Sequence, residues 1–284
     1  MIDSRYPELD PSAIRETRDA LHAYAQIVGA WVASIRPRRK HWWQLSLRPT
    51  VRGLTTGVVH SSVDFEIELD YQASVIRVRS KTQDYTLELN GQSAQAVAAF
   101  LDEALGEIGV DSRFSPDATL RQADQFPGYS KTQAAIMQSA MGSVAAALST
   151  FRAQIREETS PIQVWPHHFD LAMIWLPGHK VSDQDPENEE YADKQMNFGF
   201  VFGDEGIQEP YFYVTAYPTP EAMSRIKLPP GTAWKSDGFQ GAVLLYRDLL
   251  AADNAAEYLV DLWSTLLGAG QAFLATDDEQ VKIQ

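Results

Sequence analysis

Apolar residues recur every three or four positions from Ile14 to Ile35, through Leu21, Tyr24, Val28 and Trp31, the spacing that lines one face of an α-helix. Asp10 followed by Pro11 supplies a cap and a helix-starting proline, and Pro37 closes the segment. Residues 41–51 read as a strand. Phe65, Ile67, Leu69 and Tyr71 then alternate with Glu66, Glu68 and Asp70, the period of a half-buried strand. Residues 75–80 and 85–89 continue the alternation, with Arg77 and Arg79 placed to face Glu66 and Glu68 across an antiparallel meander with a charged outer face. Val97, Phe100, Leu101, Leu105 and Ile108 mark a helix that Gly109 stops.

Residues 110–129 carry no apolar period and contain Pro116, Pro127 and Gly128, so they read as a connector. The pattern then starts again. Ser130 and Gln133 form a capping box, and Ile136, Met137, Met141, Val144, Leu148, Phe151 and Ile155 predict a second long helix. Strands follow at 164–176, 196–202, 211–217 and 241–246, then a helix carrying Tyr258, Leu259, Leu262, Trp263, Leu266 and Leu267. The first strand of each half opens on related strings, His41-Trp42-Trp43-Gln44-Leu45 and His167-His168-Phe169-Asp170-Leu171. The expectation is an α+β fold of two degenerate helix–strands–helix repeats, with helices packed on antiparallel sheet. Residues 1–109 form the first repeat, 110–129 the connector, 130–275 the second repeat in one compact unit with the first, and 276–284 a polar tail. Loops at 177–195 and 218–238 are insertions in the second half.

Charge sharpens this picture. The 284 residues hold 24 Lys and Arg against 38 Asp and Glu, a formal net charge of −14. That balance argues against phosphate polyanions and anionic membranes as partners. The deficit is unevenly spread. Between Ala20 and Val63 there is no acidic residue, while Arg36, Arg38, Arg39, Lys40, Arg48 and Arg52 all lie there. Between Asp183 and Glu209 nine carboxylates surround a single Lys194. With no cysteine in the chain, disulfides, thiolate metal sites and cysteine nucleophiles are excluded. The polar, acidic start and the lack of an eighteen-residue apolar run lead us to expect a cytoplasmic protein that neither crosses nor binds membrane.

Strand alternation puts Trp42, Gln44 and Arg48 on one face of the first opening strand and His168 with Asp170 on one face of the second. If the halves pair, these five make a polar-aromatic pocket for a small anionic or aromatic molecule. His168 with Asp170 matches a general base and its orienting carboxylate, or two metal ligands lacking a third, for which Asp204, Glu205 and Asp237 are the other candidates. Asp204, Glu205, Tyr211 and Tyr213 could rim a pocket. Trp234 closes a proline-rich loop of the kind that carries function. No dinucleotide-binding glycine fingerprint, phosphate-cradling loop, nucleophile elbow or His-Glu-x-x-His motif occurs, and no cofactor is indicated.

Leu21-His22, Gln26-Ile27-Val28-Gly29, His41-Trp42-Trp43, Arg52-Gly53-Leu54-Thr55-Thr56 and Phe65-Glu66-Ile67-Glu68 resemble a bacterial family known only as domain of unknown function 5996. Ser160-Pro161, Trp165-Pro166-His167-His168-Phe169-Asp170, Gly203-Asp204-Glu205 and Pro210-Tyr211-Phe212-Tyr213-Val214 extend the resemblance over most of residues 10–275. It implies no activity, ligand or catalytic residue. Three readings follow from the residues: binding of a small anionic or aromatic molecule between the repeats, hydrolase- or isomerase-like chemistry at His168 and Asp170, and a protein-interaction module docking through the acidic segment.

Overall fold

The computed structural model describes residues 5–110, 120 and 124–274. It is an α+β structure whose chain divides into two compact units. The first comprises Leu9–Gly142 and Gln163–Asp170, the second Met1–Glu8, Ser143–Ile162 and Leu171–Gln284. The expected connector lies mostly outside the described residues, and the expected tail wholly so.

In the first unit, α1 (Pro11–Ile35) begins where Asp10 accepts hydrogen bonds from the amides of Ser12 and Ala13, satisfying donors that the first helical turn leaves without partners. Its Ile14, Leu21, Tyr24, Val28 and Trp31 are buried. Five strands follow in sequential order: β1 (Arg48–Pro49), β2 (Gly53–Thr55), β3 (Phe65–Asp70), β4 (Val75–Ser80) and β5 (Asp84–Glu88). Ile67 pairs with Val78 and Leu69 with Ile76 on the buried face, while Glu66 pairs with Arg79 and Glu68 with Arg77 on the other. The alternation therefore specified both register and sidedness. Helix α2 (Ala94–Glu107) covers β4 and β5 and touches α1. Each fully buried Leu or Ile of this core contributes roughly 2 kcal/mol from apolar burial.

Helix α3 (Lys131–Arg152) starts beside Ser130, whose hydroxyl accepts from the Gln133 amide. The division between the units passes through it at Gly142. Among the described residues it is the one helix long and apolar enough to cross a bilayer, but half of its most apolar window is buried within the protein. Its buried Ala134, Met137, Met141, Val144, Leu148 and Phe151 recur at helical spacing, as on a core-facing helix.

The second unit holds β6 (Glu158–Thr159), β8 (Asp170–Leu176), β9 (Gln195–Val201), β10 (Tyr211–Tyr217), β11 (Thr232–Lys235) and β12 (Gly241–Leu245); β7 (Gln163–Trp165) lies in the first. The strand order is β11-β12-β10-β9-β8-β6. Helices α4 (Tyr246–Leu249) and α5 (Ala255–Leu274) complete it. Its core is aromatic: Phe151 lies 4.9 Å from Phe198 and 5.7 Å from Trp263, and Phe200 lies 5.0 Å from Phe212.

Three expectations are corrected. Residues 41–51 are not one strand: Lys40–Leu45 is a 3-10 segment and the strand is confined to Arg48–Pro49. Residues 164–176 are two strands, because the chain turns through residues 166–169 with Phe169 at φ 54°. Trp234 is on β11 rather than in a loop. The two related strings thus both fall at left-handed turns, where alternation of faces does not operate.

Candidate functional site

Two consecutive non-glycine residues, His41 and Trp42, hold left-handed conformations at φ 50° and 58°. Each such residue costs on the order of 1–2 kcal/mol and persists only where its surroundings impose it. They do so here. The His41 carbonyl accepts the Trp165 indole N–H at 2.9 Å, and the Gln44 side chain accepts the Arg39 amide at 2.9 Å. The Leu47 and Val164 backbones exchange hydrogen bonds at 2.9 and 2.8 Å. His41 is buried, while the Trp42 indole is 41% exposed with the Arg38 guanidinium 5.1 Å from its ring centre, within cation–π range.

Beside this loop stand two guanidinium groups. Arg36, at the C-terminus of α1, donates to the Thr56 carbonyl at 2.6 Å and to the Gln44 carbonyl at 3.5 Å. Burial lowers its pKa, and the charge of Arg48 lowers it further. Arg48, exposed on β1, lies against Gly57, where an added Cβ would stand 3.6 Å from Nη1. Gly57 itself takes φ +62°, a conformation glycine adopts without steric cost. Among the described residues neither guanidinium has a carboxylate partner. Val58, next along the chain, is 58% exposed.

Arg52, Arg77 and Arg79 of the same unit behave differently. Asp70 has a fully buried side chain that accepts from Arg52 at 2.7 Å, Arg77 at 2.7 Å and the Ala73 amide at 2.8 Å. Burial alone would raise its pKa, but these donors outweigh that and hold it below the ordinary carboxylate value. Glu68 joins Arg77 and Arg79, each at 2.9 Å.

His168 and Asp170 do not form a pair. His168 is exposed in the turn, its ring 4.4 Å from that of His167 and hydrogen-bonded to nothing among the described residues, whereas Asp170 is buried at the start of β8. His167 keeps an exposed edge, yet desolvation by the atoms around its ring, then His168 and His22, pushes its pKa down to about 4. His22 of α1 stacks on Phe169 at 5.3 Å, and burial lowers its pKa against the pull of the Pro166 and His167 backbone. No cluster of three or more metal-binding side chains occurs among the described residues. The turn and the Trp42 loop are nonetheless joined, through Trp165 to His41 and through Leu47 to Val164.

In the second unit, Asp204 holds a turn: it accepts the amides of Gly206 and Ile207 at 2.7 Å and the Tyr211 hydroxyl at 2.5 Å. Glu205 is exposed in that turn, as Asp237 is in its own. The Tyr213 ring covers Gly199, where a Cβ would fall 2.3 Å from it. Register separates Trp234 from the tyrosines: it pairs with Ala242, which pairs with Val214, so it lies on the face opposite Tyr211 and Tyr213. Its indole donates to the Ile226 carbonyl at 3.0 Å. Asp204 and Tyr211 thus meet, and Trp234 is not brought to them.

A family model described as a family of unknown function matches residues 6–283. The chain belongs to that family, DUF5996. No curated protein and no solved structure matches it. For this DUF5996 member, the candidate site therefore rests on its own geometry: Trp42 with Arg38 on its ring, Arg36 holding Gln44, and Arg48 against Gly57, which Val58 follows in the chain. Gln44 is close by, but its buried side chain secures the loop. Arg36 and Arg38 were legible only as members of a carboxylate-poor stretch, and Val58 carried no signal.

Proposed function

We propose that this protein binds a small anionic molecule at the Arg36–Arg48 site of its first unit. The observation that supports this reading is two like charges side by side without a carboxylate. Arg36 spends two of its N–H donors on backbone carbonyls, and the guanidinium group has five; those of Arg48 are uncommitted. Two adjacent guanidiniums suit phosphate or carboxylate, which take paired N–H donors. The hydrolase-like reading gains no comparable support, because His168 and Asp170 do not meet.

Isothermal titration of the full chain with inorganic phosphate at low ionic strength tests the proposal. Saturable one-to-one binding is expected, weakened about tenfold or more in Arg48→Ala, since charge-assisted hydrogen bonds contribute about 1.5–3 kcal/mol. Equal binding by Arg48→Ala, with an unchanged circular dichroism spectrum, would overturn it.

A further inference from the structure

The anion site has an apolar border. Among the described residues, four large hydrophobic side chains are exposed, and two of them, Trp42 and Val58, belong to the chain segments that Arg36 and Arg48 contact. Trp42 is two residues from Gln44, whose carbonyl Arg36 holds, so its Cα lies within about 7 Å of the Gln44 Cα by chain geometry alone. Val58 follows Gly57, against which Arg48 rests. A solvated loop gains nothing from two strained residues in succession. This one is fixed at its ends by Trp165, Arg39 and Arg36, and the result is an indole held out to solvent with a guanidinium on its face.

Resting on the anion-binding reading above, we infer that the ligand is an aromatic molecule carrying the anionic group, its ring stacked on Trp42 while a phosphate or carboxylate takes the guanidiniums of Arg36 and Arg48. Trp42 offers a π-face of the kind on which planar rings stack, and Arg38 polarises it. Val58 supplies an apolar edge. An anionic membrane is the competing occupant of a basic and apolar surface, but a chain of net charge −14 is repelled overall by such a membrane. A small molecule escapes that penalty.

The test compares inorganic phosphate, n-butyl phosphate and phenyl phosphate by isothermal titration of the full chain, with sedimentation on phosphatidylserine vesicles as a further arm. Phenyl phosphate is expected to bind about tenfold more tightly than the other two, the scale of one stacked ring. Trp42→Ala should abolish that preference, Trp42→Phe should retain most of it, and Arg48→Gln should weaken all three ligands. Equal affinity for butyl and phenyl phosphate would overturn the aromatic assignment while the anion site stands. Vesicle binding that depends on Trp42, without a preference for phenyl phosphate, would overturn it in favour of a lipid surface. Failure of all three phosphates to bind would overturn both readings.

Discussion

The first unit contains two arginine-rich regions whose charges are handled in opposite ways. On the outer face of β3 and β4, Arg52, Arg77 and Arg79 converge on Asp70 and Glu68; around the Trp42 loop, Arg36 and Arg48 feel one another's charge and neither pairs with a carboxylate among the described residues. The difference separates structural charge from charge held for a ligand. A neutralised network lowers the free energy of the fold and has no valence to offer. Adjacent uncompensated guanidiniums raise it slightly and gain when an anion arrives.

The largest effect expected from breaking this contrast is in the network. Asp70→Asn leaves two arginines without their buried carboxylate and should destabilise the protein by about 3 kcal/mol, as removal of one partner of a buried pair does. Because the folded-state pKa of Asp70 is lowered, its stabilisation is complete above the unfolded carboxylate value near 3.9 and is lost as pH falls through the folded value. Urea midpoints of wild type and Asp70→Asn should therefore differ most near neutrality and converge in strong acid. A constant difference down to pH 2 would show that Asp70 acts through packing rather than charge.

The network was legible in the sequence because β3 and β4 obey a two-residue period, so that placing Ile67 inside forces Glu66 and Glu68 outside and opposite Arg79 and Arg77. Helices α1 and α3 were legible from their own three- to four-residue period, with Asp10 and Ser130 announcing their starts. The Trp42 loop was not. Its direction is set by left-handed conformations at His41 and Trp42, which non-glycine residues adopt uncommonly, and by a hydrogen bond from Trp165, 124 positions away in sequence. The same failure at Phe169 separated His168 from Asp170. What the sequence did carry about this site was the stretch from Ala20 to Val63 without a carboxylate, which marked the region but not the arginines that meet.

A smaller effect is expected from relaxing the strain. Asparagine tolerates the left-handed region better than tryptophan, and the indole is substantially exposed. Trp42→Asn should thus be neutral to stabilising, by up to about 1 kcal/mol, while removing the stacking surface. Denaturant unfolding of the variant reads the sign directly. A loss greater than about 1 kcal/mol, the scale of partial apolar burial, would place the indole in the packing of the fold rather than at a ligand site.

The smallest effect is the most discriminating. Arg48→Gln removes an exposed cation that pairs with no carboxylate, so unfolding free energy should stay within about 0.5 kcal/mol of wild type, the range of surface substitutions. Loss of the like charge beside Arg36 should offset the little packing that the Arg48 side chain contributes against Gly57. Arg36→Gln should cost more, because it also surrenders the hydrogen bonds to Thr56 and Gln44 that tie α1 to the loop. Arg77→Gln should cost more again, since it exposes Asp70 and Glu68 to each other without their shared cation. Measured by urea unfolding, the order Arg77, Arg36, Arg48 tests whether charge in this unit is graded from fold to ligand. A stability loss at Arg48 equal to that at Arg77 would erase the distinction between the two regions.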